Sequence, residues 1–287
     1  LAQSNIHQKK MWIKICFSLL LLYTTSSVFS KQCGKKLPSC VRRANWCNPS
    51  QTFTLMDCDK DGRLDPVCSS LQGQFGFIGM TSGCKSQWPN ALCQTCKGTV
   101  CPRPTNWCGA AGEAYFYLDC DDDGIPDPVC SGSTGKFGVI ESSNACGATW
   151  PSGVCKSKAG NSCPRVNNFC NHQGATFTMI DCDADGIPDP VCTDSSGNLG
   201  VLKSSSSCQL DWPNAICESE KGTVCSRPNG WCRVSGQTFM FKDCDGDGIP
   251  DPVCSEFSSV KFGVLKSSDG CSDGWPNDVC KKQYKSH

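Results

Sequence analysis

Histidine is almost missing from this chain: His7, His172 and His287 are the whole complement in 287 residues. That scarcity excludes zinc-finger chemistry, which needs paired Cys and His ligands, and leaves little for general acid–base catalysis. An excess of charge is missing as well. Lys and Arg number 27 against 27 Asp and Glu, and the basic residues are scattered, so no face is set aside for nucleic acid. Long apolar runs are missing too. Residues 15–23 form the longest one, far short of the roughly 20 residues that a membrane-spanning helix needs. Beyond it, no segment carries the periodicity of an amphipathic helix. No set of residues suited to nucleophilic or acid–base work stands apart from the rest, so the sequence does not point to an enzyme.

Cysteine, by contrast, is abundant: 27 residues, close to one in ten, a density that belongs to disulfide scaffolds of oxidising compartments. The N-terminal residues agree. A charged start (11–14), the apolar run 15–23 and a Thr/Ser-rich end to Ser30 have the three regions of a signal peptide spanning 11–30, with residues 1–10 as leader ahead of Met11. Secretion is therefore expected. Removing residues 1–30 takes away Lys9, Lys10, Lys14 and Cys16, which leaves 24 basic against 27 acidic residues and an even 26 cysteines.

Those cysteines repeat. A unit C-x6-C-x10/11-C-x9-C-x15/16-C-x8-C opens at Cys40, Cys101, Cys163 and Cys225, dividing the chain into repeats 31–100, 101–162, 163–224 and 225–287. Cys33 and Cys96 are left over on either side of the first unit and are expected to pair. Within each unit, apolar residues alternate just ahead of the third cysteine: Phe53 and Leu55, Tyr115 and Tyr117, Phe177 and Met179, Phe239 and Phe241. A period of two predicts a strand. A second short strand is predicted at Phe75-Gly-Phe-Ile, Phe137-Gly-Val-Ile, Leu199-Gly-Val-Leu and Phe262-Gly-Val-Leu. The aromatics Trp46, Trp107, Phe169 and Trp231, and Trp88, Trp150, Trp212 and Trp275, are expected in the core, because so small a unit has little else to bury.

Between the third and fourth cysteines every unit reads D-C-D-x-D-G-x-x-D. The carboxylates are Asp57, Asp59, Asp61 and Asp65 in the first copy and Asp119, Asp121, Asp123 and Asp127 in the second. In the third they are Asp181, Asp183, Asp185 and Asp189, and in the fourth Asp243, Asp245, Asp247 and Asp251. Acidic oxygens at positions 1, 3, 5 and 9, with Gly at 6, are the spacing by which a tight turn surrounds one hard cation, and the position-7 carbonyl (Arg63, Ile125, Ile187, Ile249) would add a ligand. Calcium is the expected cofactor, one ion per loop. An EF-hand is excluded, because position 12 is Cys68, Cys130, Cys192 or Cys254 in place of Glu, and no helices flank the loop. Bridges from position 2 to position 12 (Cys58–Cys68, Cys120–Cys130, Cys182–Cys192, Cys244–Cys254) are expected to staple the incoming strand to the outgoing one. Pro at position 10 predicts an edge position or the start of a strand.

A strand ending in D-x-D-x-D-G-x-x-D, an outgoing strand with Val and then a Gly-Val-Leu strand resembles the FG-GAP/VCBS class of calcium-binding β-propeller repeat over about half of each unit. The acidic string alone also resembles thrombospondin type 3 repeats and dockerin loops. The propeller resemblance implies one four-stranded blade per unit, although that class usually has more blades and no six-cysteine staple. The expected fold is all-β and disulfide-rich, either a four-bladed propeller-like ring or a row of small β modules. The expected role is a secreted, calcium-binding structural or matrix protein whose partners are an extracellular polymer, mineral or glycan surface, with self-association possible through its repeated faces. A soluble lectin-like recognition module is the alternative, and a secreted enzyme comes third.

Overall fold

The computed structural model describes residues 39–280. The expected leader and signal segments and Cys33 lie outside the described residues. Four antiparallel four-stranded sheets follow one another along the chain. The first holds β1 (Thr52–Met56), β2 (Asp65–Ser69), β3 (Phe75–Gly79) and β4 (Lys85–Gln87), and the second β5 (Glu113–Leu118), β6 (Asp127–Gly132), β7 (Phe137–Glu141) and β8 (Gly147–Ala148). The third holds β9 (Thr176–Ile180), β10 (Asp189–Thr193), β11 (Leu199–Leu202) and β12 (Leu210–Asp211). A two-stranded hairpin, β13 (Glu218–Ser219) and β14 (Gly222–Thr223), precedes the fourth sheet of β15 (Gln237–Lys242), β16 (Asp251–Glu256), β17 (Phe262–Lys266) and β18 (Ser272–Asp273). The sheets form a four-bladed propeller. Their first strands, β1, β5, β9 and β15, touch in cyclic order, and β15 meets β1 to close the ring.

The alternation in these inner strands has a direct structural cause. One set of side chains faces the preceding blade: Phe53 and Leu55 pack with Val253, Phe262 and Val264 of the fourth blade, and Phe177 and Met179 pack with Val129, Phe137 and Val139 of the second. The intervening residues Thr54, Phe116, Thr178 and Met240 line a central cavity of about 220 Å³. The second strand of each sheet is covered on both faces, so Val67, Val129, Val191 and Val253 are fully buried. Each joint carries the same hydrogen bond. The backbone N–H groups of Asn45, Asn106, Asn168 and Gly230 donate to the carbonyls of Phe257, Leu71, Ser133 and Ser195 of the preceding blade, at 2.9, 2.6, 2.8 and 2.8 Å. All four donors sit at positive φ (60°, 62°, 63° and 79°), which explains Asn or Gly there.

The twelve disulfides described join first to fifth, second to fourth and third to sixth cysteine of each unit, as in Cys40–Cys84, Cys47–Cys68 and Cys58–Cys93. This corrects the expected bridges Cys58–Cys68, Cys120–Cys130, Cys182–Cys192 and Cys244–Cys254. Strand register is the reason. Cys68 stands opposite Phe53, five residues back from Cys58, or roughly 17 Å of extended strand, whereas a disulfide needs Cα atoms within about 7 Å. Position 2 instead reaches the sixth cysteine: Cys120–Cys155, Cys182–Cys217 and Cys244–Cys280. Cys96 is disulfide-bonded, and its expected partner, Cys33, is outside the described residues. Pro66 is the second residue of β2, an interior strand, not an edge. It stands one residue beyond the last β2–β3 pair, Val67 with Phe77, where a ladder donor is no longer needed. The later tryptophans are also less deep than expected. Trp88, Trp150 and Trp275 are half-buried and Trp212 is 37% exposed. Their rings lie against the glycine of the third strand, where a Cβ at Gly138 or Gly263 would sit 3.0 Å from the ring.

Candidate metal centres in the acidic loops

Each acidic loop is the turn from a blade's innermost strand to its second strand. Three things shape it locally. The position-1 carboxylate accepts the N–H of the position-6 glycine, Asp57 from Gly62 at 3.0 Å, Asp119 from Gly124 at 2.9 Å and Asp181 from Gly186 at 3.0 Å, whereas Asp243 accepts from Gly246 at 2.6 Å. The position-5 carboxylate accepts the N–H of position 7, from Arg63, Ile125, Ile187 and Ile249 at 2.9, 2.7, 2.8 and 2.7 Å. Position 9, inside the next strand, reaches back: Asp65, Asp127, Asp189 and Asp251 accept the N–H of Cys58, Cys120, Cys182 and Cys244 at 2.9 to 3.0 Å.

The result gathers three carboxylates per loop, with one oxygen of each within 4.8 Å of the others: Asp57, Asp59 and Asp61; Asp119, Asp121 and Asp127; Asp181, Asp183 and Asp189; Asp243, Asp245 and Asp251. Positions 1, 3 and 9 converge in the last three blades, and positions 1, 3 and 5 in the first. Elsewhere position 5 is taken up by a serine. Asp123, Asp185 and Asp247 accept the hydroxyls of Ser142, Ser204 and Ser267, and the next serine, Ser143, Ser205 or Ser268, donates to Asp121, Asp183 or Asp245. In the first blade Thr81 donates to Asp59. These donors form a short 3-10 turn after each third strand. The recurrence of these serines in register, at Ser142, Ser204 and Ser267, was the signal the sequence offered for them.

The side chains of the position-7 residues pack or pair in their own right. The Ile187 and Ile249 side chains lock onto Gly160 and Gly222 of the linker preceding their blade, where a Cβ would come within 2.8 and 3.0 Å, and Ile125 packs into the core of the first blade. Arg63 differs. Its buried guanidinium lies 3.4 Å from Asp61 Oδ2, and its Nε and one terminal nitrogen have no hydrogen-bond partner.

Two features show that the carboxylates fit a cation. Asp65, Asp127 and Asp251 are at most 1% exposed, yet the second oxygen of each has no hydrogen-bond partner, an arrangement that is costly unless something positive meets it. Burial, reinforced by the neighbouring loop carboxylates, also pushes these groups up, Asp65 to about 9 and Asp127, Asp189 and Asp251 to about 7. A carboxyl whose native pKa lies above the ordinary 3.8 keeps its proton in the folded chain after the unfolded chain has lost it. Stability of the metal-free protein is therefore expected to be greatest below about pH 4 and to fall as pH rises toward 7, and urea midpoints measured with chelator across that range check it. A midpoint that rose from pH 4 to 7 would contradict the burial of these carboxylates.

No family model matches the chain, and no curated protein matches it. Among solved structures it is similar to one described as the structural basis of specific recognition of non-reducing terminal N-acetylglucosamine by an Agrocybe aegerita lectin, with a TM-score of 0.34, 12% identity, and coverage of 81% of this chain and 53% of that one. The chain spans about half the length of that structure, and a likeness this distant carries no argument about ligand. Among the described residues, no helix is long and apolar enough to cross a membrane.

Proposed function

We propose that the protein is a secreted propeller that binds calcium in its acidic loops and serves as a rigid extracellular scaffold. The observation that carries the metal reading is the buried, unpartnered oxygen of Asp65, Asp127 and Asp251, with two further carboxylates gathered beside Asp127 and Asp251 and three acting on Asp65. Calcium suits the set better than magnesium. Carboxylates, backbone carbonyls and water at a flexible turn make an oxygen-rich site for six to eight ligands, while magnesium demands near-octahedral geometry and keeps most of its water. The disulfides, together with the secretory leader expected from sequence, support an oxidising, calcium-rich extracellular compartment for this reading. Four similar rims would engage a polymer, mineral or glycan surface by repeated weak contact.

The four loops are not equal in this reading. Arg63 supplies the first loop with an internal cation that competes with a metal for Asp61, while the others carry isoleucine at that place. Isothermal titration with calcium should resolve three similar sites and a weaker fourth. Arg63→Ile should strengthen the weak site about tenfold, since a unit charge at this range exceeds the 1.4 kcal/mol that a factor of ten requires. No uptake at several millimolar calcium would sink the metal reading, and four equal sites would sink the role of Arg63. One observation favours a second reading, a soluble recognition module: the third blade has an open aromatic cleft where the other three carry a larger side chain.

A further inference from the structure

The four blades differ at the outer rim, where the segment before the second cysteine faces the outermost strand. In the first blade the indole N–H of Trp46 donates to Ser86 Oγ at 2.8 Å, and in the fourth that of Trp231 donates to Asp273 Oδ1 at 3.1 Å. In the second blade Trp107 keeps the indole, its nitrogen buried without a partner, with Ala148 at the place of Ser86. The third blade has exchanged both members of the pair, Phe169 for the indole and Leu210 for its acceptor. Between them lies an open cleft of about 260 Å³, lined by Val166, Asn167, Phe169, His172, Leu210 and Trp212 among others.

Its walls are unusual for this molecule. Trp212 is the most exposed tryptophan among the described residues, and Leu210 and Val166 beside it are 48% and 39% exposed. His172 stands where the second and fourth units have Ala110 and Val234, edge to face with the Trp212 ring at 5.6 Å. The imidazole is fixed from behind. Its Nε2 lies 3.4 Å from a carboxylate oxygen of Asp194, which is 6% exposed and is itself held by Asn198 Nδ2 at 2.8 Å and the backbone N–H groups of Ser196 and Asn198 at 2.8 and 3.1 Å. With a proton on Nε2 shared toward Asp194, Nδ1 remains as an acceptor.

We propose that this cleft binds one neutral pyranose ring of a glycan. An exposed indole offers an apolar face for the C–H groups of a sugar, while an oriented imidazole and the carboxamides of the rim offer partners for hydroxyls. Apolar lining with a few polar groups is the general form of a small-ligand site, and this volume suits one ring. The chemistry disfavours the other small ligands. An anion would meet no guanidinium or ammonium among the lining residues, and a cation would find no free carboxylate, Asp194 being buried and already engaged. The inference deepens the recognition reading and needs no metal.

The test uses the full chain and separates the two readings. Titrations with cellotriose, mannotriose and galactotriose, followed by calorimetry in every variant and also through the Trp212 indole N–H resonance where Trp212 is kept, should show saturable binding by at least one of them. Trp212→Ala should weaken it at least tenfold. The double variant Phe169→Trp/Leu210→Ser rebuilds the Trp46–Ser86 pair of the first blade, so it should close the cleft and abolish binding while calcium titration and the unfolding midpoint stay unchanged. Failure of all three sugars to bind at ten millimolar, stronger binding by a sulfated trisaccharide, or undiminished binding by the double variant would each overturn the proposal. Calcium uptake in the same samples shows whether the metal reading stands or falls separately.

Discussion

Arg165→Met should lower the unfolding free energy by about 4 kcal/mol, read as a lower denaturant midpoint at constant slope for the oxidised protein. Arg165 is 4% exposed, and its guanidinium donates to three carbonyls: Nε to Phe169 at 2.8 Å, and the terminal nitrogens to Ser131 at 3.0 Å and Cys170 at 3.1 Å. It also stacks on Phe177 at 4.4 Å. Methionine would keep much of the volume and leave all three acceptors without a donor, at about 1–3 kcal/mol each. The loss is less than their sum because the cation itself is costly to bury, which already pulls its pKa down to about 10. Arg165→Lys should recover less than half, since one ammonium cannot span a fork of three planar acceptors. Two of the three carbonyl contacts recur at Arg42, Arg103 and Arg227, which donate to Trp46 and Cys47, Trp107 and Cys108, and Trp231 and Cys232 and stack on Phe53, Tyr115 and Phe239. A loss below 1 kcal/mol would show that the fork does not hold the joint.

Chelation should have a comparable effect through the acidic loops. At a calcium concentration ten times the dissociation constant, each site stabilises the native state by about 1.4 kcal/mol, so three strong sites together contribute about 4 kcal/mol. For a chain of this size that corresponds to a thermal midpoint lower by roughly 10 °C in excess chelator. The blades should survive, because the twelve described bridges do not depend on metal. Far-UV circular dichroism below the transition should therefore be unchanged, while the acidic loops become open to protease. An unchanged midpoint in chelator would mean that the loops are ordinary turns.

The strands and the turns that carry the acidic residues were legible because each left a local periodic trace: alternation at Phe53 and Leu55, or four carboxylates at fixed spacing. Ring and row could not be told apart from sequence, since closure depends on β15 meeting β1 across nearly the whole described chain. Bridge partners were misread for a related reason. Cys58 and Cys68 are near in sequence but far apart in register, while Cys93 arrives from beyond the fourth strand. The arginine two places after each first cysteine was visible as a recurrence at Arg42, Arg103, Arg165 and Arg227. It was passed over because a charged residue in a short connecting segment ordinarily belongs to the surface.

Every described bridge joins cysteines of the same blade, with separations of 21 to 46 residues, and none crosses the joint where the fourth blade meets the first. That joint rests on packing of Phe53 and Leu55 against Phe262 and Val264 and on hydrogen bonds such as Asn45 to Phe257. Under tension between its two ends the molecule therefore has a built-in order of failure. The ring parts first at its seam, as a clasp opens, and unrolls into an arc of four intact blades, each of which still resists extension until a sulfur–sulfur bond is broken. A tether made of such molecules would lengthen in a small reversible step before it could be pulled apart, and the two apolar flanks bared by the opening would draw the seam shut once the load was removed.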